Sequence, residues 1–328
     1  MTETLLDVRG LKTWFETPRG TVTVLDGLEL AVERGTIVGI VGESGSGKSV
    51  TAYSILRLIR PPGHVAGGEV RYRGRDLLAL SEREMRRVRG PEIGMIFQDP
   101  RGFLNPVARV GSVLCEIYRT HEHVSRRDAR KRALELLRSV GLPSPDRVMR
   151  AYPHELSGGM AQRAMIALAL ACSPKLLIAD EPTTALDVTI QIQIVRLLAD
   201  LRERLGLTIV LITHNLSLVA EVCDEVAVMY AGEIVEQAPV VEIFEAPRHP
   251  YTVGLLNARP TIVEEGGALA DIPGRVPDLT DPPPSCRFEP RCFLAQERCR
   301  QEAPALRTIS HDHCSRCHFA ETLADAAA

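Results

Sequence analysis

The sequence predicts an α/β fold: a mostly parallel sheet with an antiparallel β part and an inserted helical subdomain, then a small Cys-rich C-terminal extension. Three observations predict it. Short apolar runs alternate with helical patterns, as in a parallel sheet covered by helices. One run feeds Gly42-Glu43-Ser44-Gly45-Ser46-Gly47-Lys48-Ser49, a complete G-x-x-x-x-G-K-S phosphate loop. Another, Leu176-Leu177-Ile178-Ala179, ends in the paired carboxylates Asp180-Glu181.

Leu5 to Phe15 and Thr21 to Val32 alternate apolar and polar residues, which predicts antiparallel strands. Thr36 to Val41 is continuously apolar, as a strand buried on both faces must be. It enters the phosphate loop, and helical spacing follows from Ser49 to Arg60. Glu69 to Tyr72 and Ile93 to Phe97 read as further strands. No strong strand lies between about Gln98 and Gly158, which predicts a helical subdomain over about 99–158. Within it, Ser125 to Val140 is a basic amphipathic helix whose Arg and Lys run reads as a solvated face rather than an RNA surface. Gly158 to Ala171 is a helix of small and apolar residues. Lys175 to Ala179 and Thr208 to Thr213 are buried strands, with the long helix Val188 to Leu205 between them. Pro and Gly become dense from Pro247 to Pro284, marking a linker or wrapped extension. The boundaries expected are therefore 1–246 and 247–328, with an Ala-rich end frayed after about Leu323.

A chain of 328 residues suits one large domain plus an appendage. Its net charge of −3 carries no nucleic-acid signature, so no nucleic-acid partner is expected. No apolar run reaches the roughly 18–20 residues that span a bilayer. The N-terminus lacks a signal-peptide pattern. These features predict a soluble cytoplasmic protein that reaches a membrane only by docking to other subunits. Of eight cysteines, Cys115, Cys172 and Cys223 are scattered and read as small core residues. Cys286, Cys292, Cys299, Cys314 and Cys317 crowd the tail. In a reducing compartment such a cluster binds metal more often than it forms disulfides.

In the phosphate loop, glycines let backbone N–H groups turn toward the β- and γ-phosphates of a nucleotide. The helix that follows adds its positive dipole end. Gly42, Ser44, Gly45, Ser46 and Gly47 form this cradle. Lys48 supplies charge to the β/γ oxygens, and the Ser49 hydroxyl binds Mg²⁺. A carboxylate ending a parallel strand faces the ligand crevice. Asp180 then orients Mg²⁺, and Glu181 polarises the attacking water as general base. Ser157-Gly158-Gly159, at a helix start, is a second anion site. It has no obvious target within the chain, whose own loop already holds the phosphates.

Leu156-Ser157-Gly158-Gly159-Met160 stands between the phosphate loop and the acidic strand. With it, the chain resembles the ATP-binding-cassette (ABC) ATPases over about residues 4 to 245. The resemblance implies an ABC-type nucleotide-binding domain of the P-loop NTPase class, with ATP and Mg²⁺. It implies that His214, after the strand ending Ile212-Thr213, contacts the γ-phosphate and holds Glu181 and the water in place. It implies that Gln98 binds Mg²⁺ and the lytic water, on a loop that touches the transmembrane partner. Leu186-Asp187 resembles the segment that communicates between paired cassettes. Phe15 sits where the family places an aromatic under adenine, and Trp14 is the neighbour that competes for this role. The family dimerises head to tail, so each ATP lies between one subunit's phosphate loop and the other's Ser157-Gly158-Gly159. Met160 replaces the common Gln.

Glu181 to Gln191 (EPTTALDVTIQ), His249 to Leu256 (HPYTVGLL), Ile272 to Pro277 (IPGRVP) and Cys286 to Cys292 (CRFEPRC) narrow the resemblance. Together they are similar to the ATP-binding subunits of bacterial di- and oligopeptide importers, over nearly the whole chain. The resemblance implies a subunit that hydrolyses ATP to power peptide import by dimer closure. It would sit peripherally on the cytoplasmic face of the inner membrane. Its partners would be a second ABC ATPase subunit (a copy or a paralogue), two permease subunits and an extracytoplasmic solute-binding protein. Relatives with this pattern also serve nickel, glutathione or sugar uptake. A non-transport ABC ATPase would carry a long coiled coil or two cassettes, and neither appears. Asn215 stands where these relatives usually have Asp.

The tail spacing is C-x5-C-x6-C, a gap, then C-x2-C. Four thiolates hold either an iron–sulfur cluster or zinc. Related subunits imply a [4Fe-4S] cluster on Cys286, Cys292, Cys299 and Cys317, with Cys314 left over. Cys314 and Cys317 also form a C-x-x-C pair near His311, His313 and His318, which suits Zn²⁺. A tail without metal is the third reading. Tail and phosphate loop are expected on different units.

Overall fold

The computed structural model describes residues 3–258, 272–280 and 282–326. It contains two compact units, Met1–Ala79 with Thr213–Ala328, and Leu80–Ile212.

The first unit begins with β1 (Thr4–Thr17) and β2 (Gly20–Glu33), an antiparallel hairpin. Leu6, Val8 and Leu11 of β1 face inward with Leu28, Leu30 and Val32 of β2, so the alternation in sequence is the alternation of faces. The five residues of β3 (Ile37–Val41) are all buried. Then come α1 (Lys48–Ile55), β4 (Gly63–Tyr72) and the short β5 (Arg75–Asp76). β4 pairs with the other edge of β1, which makes the sheet β2-β1-β4-β5.

The second unit contains α2 (Glu82–Val88), β6 (Ile93–Ile96), α3 (Pro100–Phe103), α4 (Val110–His121), α5 (Arg126–Ser139), α6 (Pro145–Val148), α7 (Gly158–Leu170), β7 (Leu176–Asp180), α8 (Val188–Leu205) and β8 (Thr208–Ile212). β6, β7 and β8 are parallel and buried throughout. α7 lies close on β6: a Cβ on Gly94 would stand 2.5 Å from the Ala169 carbonyl. The helices between β6 and α7 bury narrow stripes. α4 buries Val110, Leu114 and Tyr118, and α5 buries Ala129, Ala133 and Leu137, each at i, i+4, i+8. The Arg and Lys of α5 lie on its exposed face, as the sequence suggests.

The chain then returns to the first unit with α9 (Leu216–Val222), β9 (Glu225–Tyr230), β10 (Glu233–Pro239), α10 (Val240–Glu245), α11 (Pro250–Asn257), α12 (Glu297–Gln301), β11 (Arg307–Ser310), β12 (His313–Ser315) and α13 (Ala320–Ala326). β9 is parallel to β3, and β10 and β12 extend that sheet antiparallel. The hairpin β9–β10 was not legible as such in the sequence. Its turn, Ala231-Gly232, has both φ angles positive. A side chain on Gly232 would strike the Val24 carbonyl at 2.4 Å, so glycine is required there. α13 runs to Ala326, past the point where fraying is expected; residues 327 and 328 lie outside the described residues.

The extension is therefore no appendage, because β12 adds a strand to the sheet of the phosphate-loop unit. The expectation of separate units for tail and loop does not hold. His313 anchors this strand. Its Nδ1 lies 2.9 Å from Glu242 and its Nε2 2.8 Å from the buried Glu236. Burial opposes the imidazolium, but the two carboxylates outweigh it and raise the pKa. No helix among the described residues is long and apolar enough to cross a membrane.

Candidate functional site

The phosphate loop leaves β3 and enters α1 through Gly47, which has φ 105°. A Cβ on Gly42 would stand 2.1 Å from the Met229 carbonyl of β9, so the loop sits against that strand too closely for any side chain. Lys48 is buried, and its Nζ donates to the carbonyls of Gly42 and Glu43, both at 2.8 Å. The ammonium thus lies across the loop. Ser49 follows in the first turn of α1, where backbone N–H groups have no intrahelical acceptor.

In the same unit, Phe15 of β1 rests on Gly63 of β4, whose Cβ would stand 2.5 Å from the Phe15 ring. Phe15 is half-buried and Trp14 exposed. His214 is exposed just after Thr213, whose N–H donates to the Ile40 carbonyl of β3 at 3.1 Å. Asn215 accepts from the N–H groups of Ser217 and Leu218 at 3.0 and 3.4 Å and so caps α9. Asn does this as well as Asp, and the departure from the relatives' pattern costs no cap.

The second unit gathers the acidic residues. Asp180 ends β7 fully buried. Glu181 turns sharply out of the strand at φ 43°, while its N–H still bonds the Ile212 carbonyl at 2.9 Å. Its Oε2 accepts from Gln98 Nε2 at 2.7 Å and from Thr184 Oγ1 at 2.8 Å. Gln98 and Glu181 are thus together. Ser157 caps α7 through the Met160 N–H at 3.4 Å, and Asp187 caps α8 through the Ile190 N–H at 2.9 Å. A Cβ on Gly158 would meet Leu186 at 3.3 Å, and one on Gly159 would meet Ile190 at 3.1 Å. The two helix starts therefore touch, and Gly158 and Gly159 leave the α7 start uncovered by side chains.

In the tail, Cys286, Cys292, Cys299 and Cys317 line one small pocket with Phe288 and Leu294. Burial, then the neighbouring thiols, pushes the pKa of Cys286 up to about 11 and of Cys292 up to about 12. Cys314 lies outside this pocket, on β12, with Thr308 Oγ1 3.6 Å from its sulfur. Among the described residues no three His, Cys, Asp or Glu side chains stand close enough to hold a single metal ion. Cys314 and Cys317 therefore gather no His into a zinc site.

The family model for the ABC transporter matches residues 25–184, and that for the oligopeptide/dipeptide transporter C-terminal region matches 235–299. A probable peptide ABC transporter ATP-binding protein of Sinorhizobium fredii is 53% identical over 95% of this chain and 94% of its own length. The chain belongs to the ABC transporter ATP-binding proteins. The oligopeptide transport ATP-binding protein OppD of Bacillus subtilis is 51% identical over 94% of this chain and 87% of its own. The dipeptide transport ATP-binding protein DppD of Escherichia coli is 48% identical over 96% of both. Among solved structures, the ATP-binding cassette MJ0796 in a dimeric post-hydrolysis state, bound to ADP and Pi, has TM-score 0.64 at 30% identity. That match covers 72% of this chain and 98% of that one.

The protein is thus an ABC-type ATPase. Sequence reasoning gave Thr184 no role, although its hydroxyl shares Glu181 Oε2 with Gln98. The available signal was the two threonines following Asp180-Glu181-Pro182. Glu43 likewise has no role in the sequence motif beyond its place in the loop, yet it meets three other residues.

Proposed function

We propose that this ATPase powers uptake of di- or oligopeptides, as the ATP-binding subunit of an importer. The single observation that carries the reading is that the relatives' peptide-transport names attach to chains matched over 87% and 96% of their own length, and that the C-terminal region matches residues 235–299. The cassette comprises about residues 1–246, with a helical part at about 99–158, and the extension 247–328. The phosphate loop, from Gly42 to Ser49, binds the β- and γ-phosphates, and Phe15 lies under adenine. Glu181 takes a proton from the attacking water, while Gln98 and His214 fix that water and the γ-phosphate. Mg²⁺ suits the hard oxygen donors of Ser49, Gln98 and the fully buried Asp180. When bound, it neutralises charge on the phosphates. Ser157, Gly158, Gly159 and Asp187 serve the ATP of a second ATPase subunit, a copy or a paralogue. Two permeases hold the pair at the cytoplasmic face of the membrane, and a solute-binding protein delivers the peptide.

Deleting the chromosomal copy should abolish uptake of a labelled tripeptide, and a plasmid copy should restore it. Unchanged peptide uptake with loss of nickel, glutathione or sugar uptake would replace the substrate and keep the transport role.

We propose further that the thiol pocket holds a [4Fe-4S] cluster, with Zn²⁺ as the alternative; what supports the reading is that four cysteines line one pocket. Among the described residues no three metal-ligating side chains stand close enough to hold an ion as they are placed. A cluster would draw the protons off thiols that burial now keeps protonated. It would also staple a segment with little core of its own. Protein purified without oxygen should be brown, with about four irons per chain. Cys292→Ser should lose the colour and Cys314→Ser should keep it. A colourless preparation holding one zinc per chain would overturn the cluster.

A further inference from the structure

Glu43, the second residue of the phosphate loop, is held at three groups: its N–H, its carbonyl and its carboxylate. Its N–H donates to Tyr251 Oη at 2.8 Å, and its carbonyl accepts from Lys48 Nζ at 2.8 Å. Its carboxylate is gripped by Arg291, with Nη1 to Oε2 at 2.7 Å and Nη2 to Oε1 at 2.9 Å. This is the two-pronged geometry that a guanidinium makes and an ammonium does not. The Arg291 side chain is 4% exposed. Its other bonds go to the carbonyls of Ile272 and Pro273, at 3.1 and 2.8 Å, and to Tyr230 Oη at 3.5 Å, so its fork is fixed before it meets Glu43.

Arg291 immediately precedes Cys292 in the CRFEPRC loop. Arg287, at the other end of that loop, reaches the same place by a second route. It donates to the Ala231 carbonyl and to Asp26, both at 2.6 Å. The next residue, Gly232, donates its N–H to the Ser46 carbonyl at 2.9 Å. The extension thus holds the phosphate loop at Glu43 directly and at Ser46 through the 231–232 turn. Tyr230, Tyr251 and Phe288 pack beneath, with ring centroids 4.6 to 5.4 Å apart. A phosphate loop binds by presenting N–H groups at fixed positions, so small displacements of its backbone cost affinity.

We propose that Arg291 is a positioning residue for ATP: by gripping Glu43 it fixes the phosphate loop in its binding conformation, which makes the C-terminal extension part of the nucleotide site. The proposal uses the ATPase activity only. It does not depend on the transported solute or on what the thiol pocket holds.

The test is ATP hydrolysis and MgATP binding by the full-length chain. Arg291→Met should raise the ATP KM and Kd about 10- to 100-fold, as a misplaced binding group does, and lower kcat far less. Arg291→Lys keeps the charge and loses the fork, and should fall between the two. Glu43→Gln/Arg291→Met should bind no more weakly than either single variant, because both break one contact. A merely structural ion pair predicts something else: fewer active molecules, hence lower Vmax and melting temperature at unchanged KM and Kd. That result, or parental KM and Kd in Arg291→Lys, would overturn the proposal. If Arg291→Met does not fold, Arg291→Lys and Glu43→Gln decide it by the same KM-against-Vmax comparison.

Discussion

Glu181→Gln should still bind ATP but hydrolyse it at least about 100-fold more slowly than the parent chain. Glutamine has the size of glutamate, and its amide oxygen can still accept from Gln98 or Thr184. What it loses is the carboxylate, and with it the base that the proposed role requires. The turn at φ 43° is a backbone feature that both residues face alike, so the strand end should keep its shape. The phosphate loop is built by other residues, so binding survives. Phosphate release at saturating ATP, set beside MgATP affinity, checks both halves. Parental turnover would remove Glu181 from the role of base. Lost affinity would show instead that the carboxylate helps to hold the nucleotide.

The parts of this site readable in sequence are those whose chemistry is local. A phosphate loop needs glycines where its backbone passes close to a neighbour, as Gly42 does at the Met229 carbonyl. Buried parallel strands read as unbroken apolar runs, and β3, β7 and β8 lie where such runs fall. α8 spans Val188–Leu205 because Asp187 caps its start and Gly206, at φ 62°, ends it. Both signals are one residue long and sit beside the element they control.

The missed parts depend on residues far apart in sequence. The ion pair of Glu43 and Arg291 joins positions 248 residues apart, and no local pattern announces it. Dense Pro and Gly across 247–284 suggested a linker or wrapped extension, of which 259–271 and 281 lie outside the described residues; α11 begins there because Pro250 can occupy a first turn and His249 caps it. Spacing alone left open whether Cys317 joins Cys286, Cys292 and Cys299 or pairs with Cys314. Packing separates them: β12 pairs with β10 and carries Cys314 with it, while Cys317, just beyond the strand, reaches the pocket. The pairing is what divides a C-x-x-C pair between two surroundings.

Ser157→Arg should leave MgATP binding to the phosphate loop intact and lower steady-state hydrolysis at least about 100-fold, the scale of losing a positioned phosphate contact. Ser157 caps α7 with a weak bond of 3.4 Å to the Met160 N–H, which leaves its hydroxyl little committed. Gly158 and Gly159 put no side chain over the helix start, and behind them Leu186 and Ile190 fill the space. The result is an open cluster of N–H groups at the positive end of a 13-residue helix, suited to an anion from another molecule. Arginine there adds a cation where the dipole already disfavours one, and its bulk covers the N–H groups that the glycines leave bare. If the anion is the γ-phosphate of ATP on a partner cassette, the variant binds nucleotide and cannot close on it. Its residual rate per chain should then be low at every protein concentration, whereas the parent's rate per chain rises as cassettes pair. Crosslinking between cysteines placed at Ser46 and Ser157 of opposing subunits reports closure directly in the parent. For the variant, a cysteine at Gly159 replaces the one at position 157, and ATP should no longer promote the crosslink. Hydrolysis by Ser157→Arg at the parental rate, independent of concentration, would show that each chain completes its site alone.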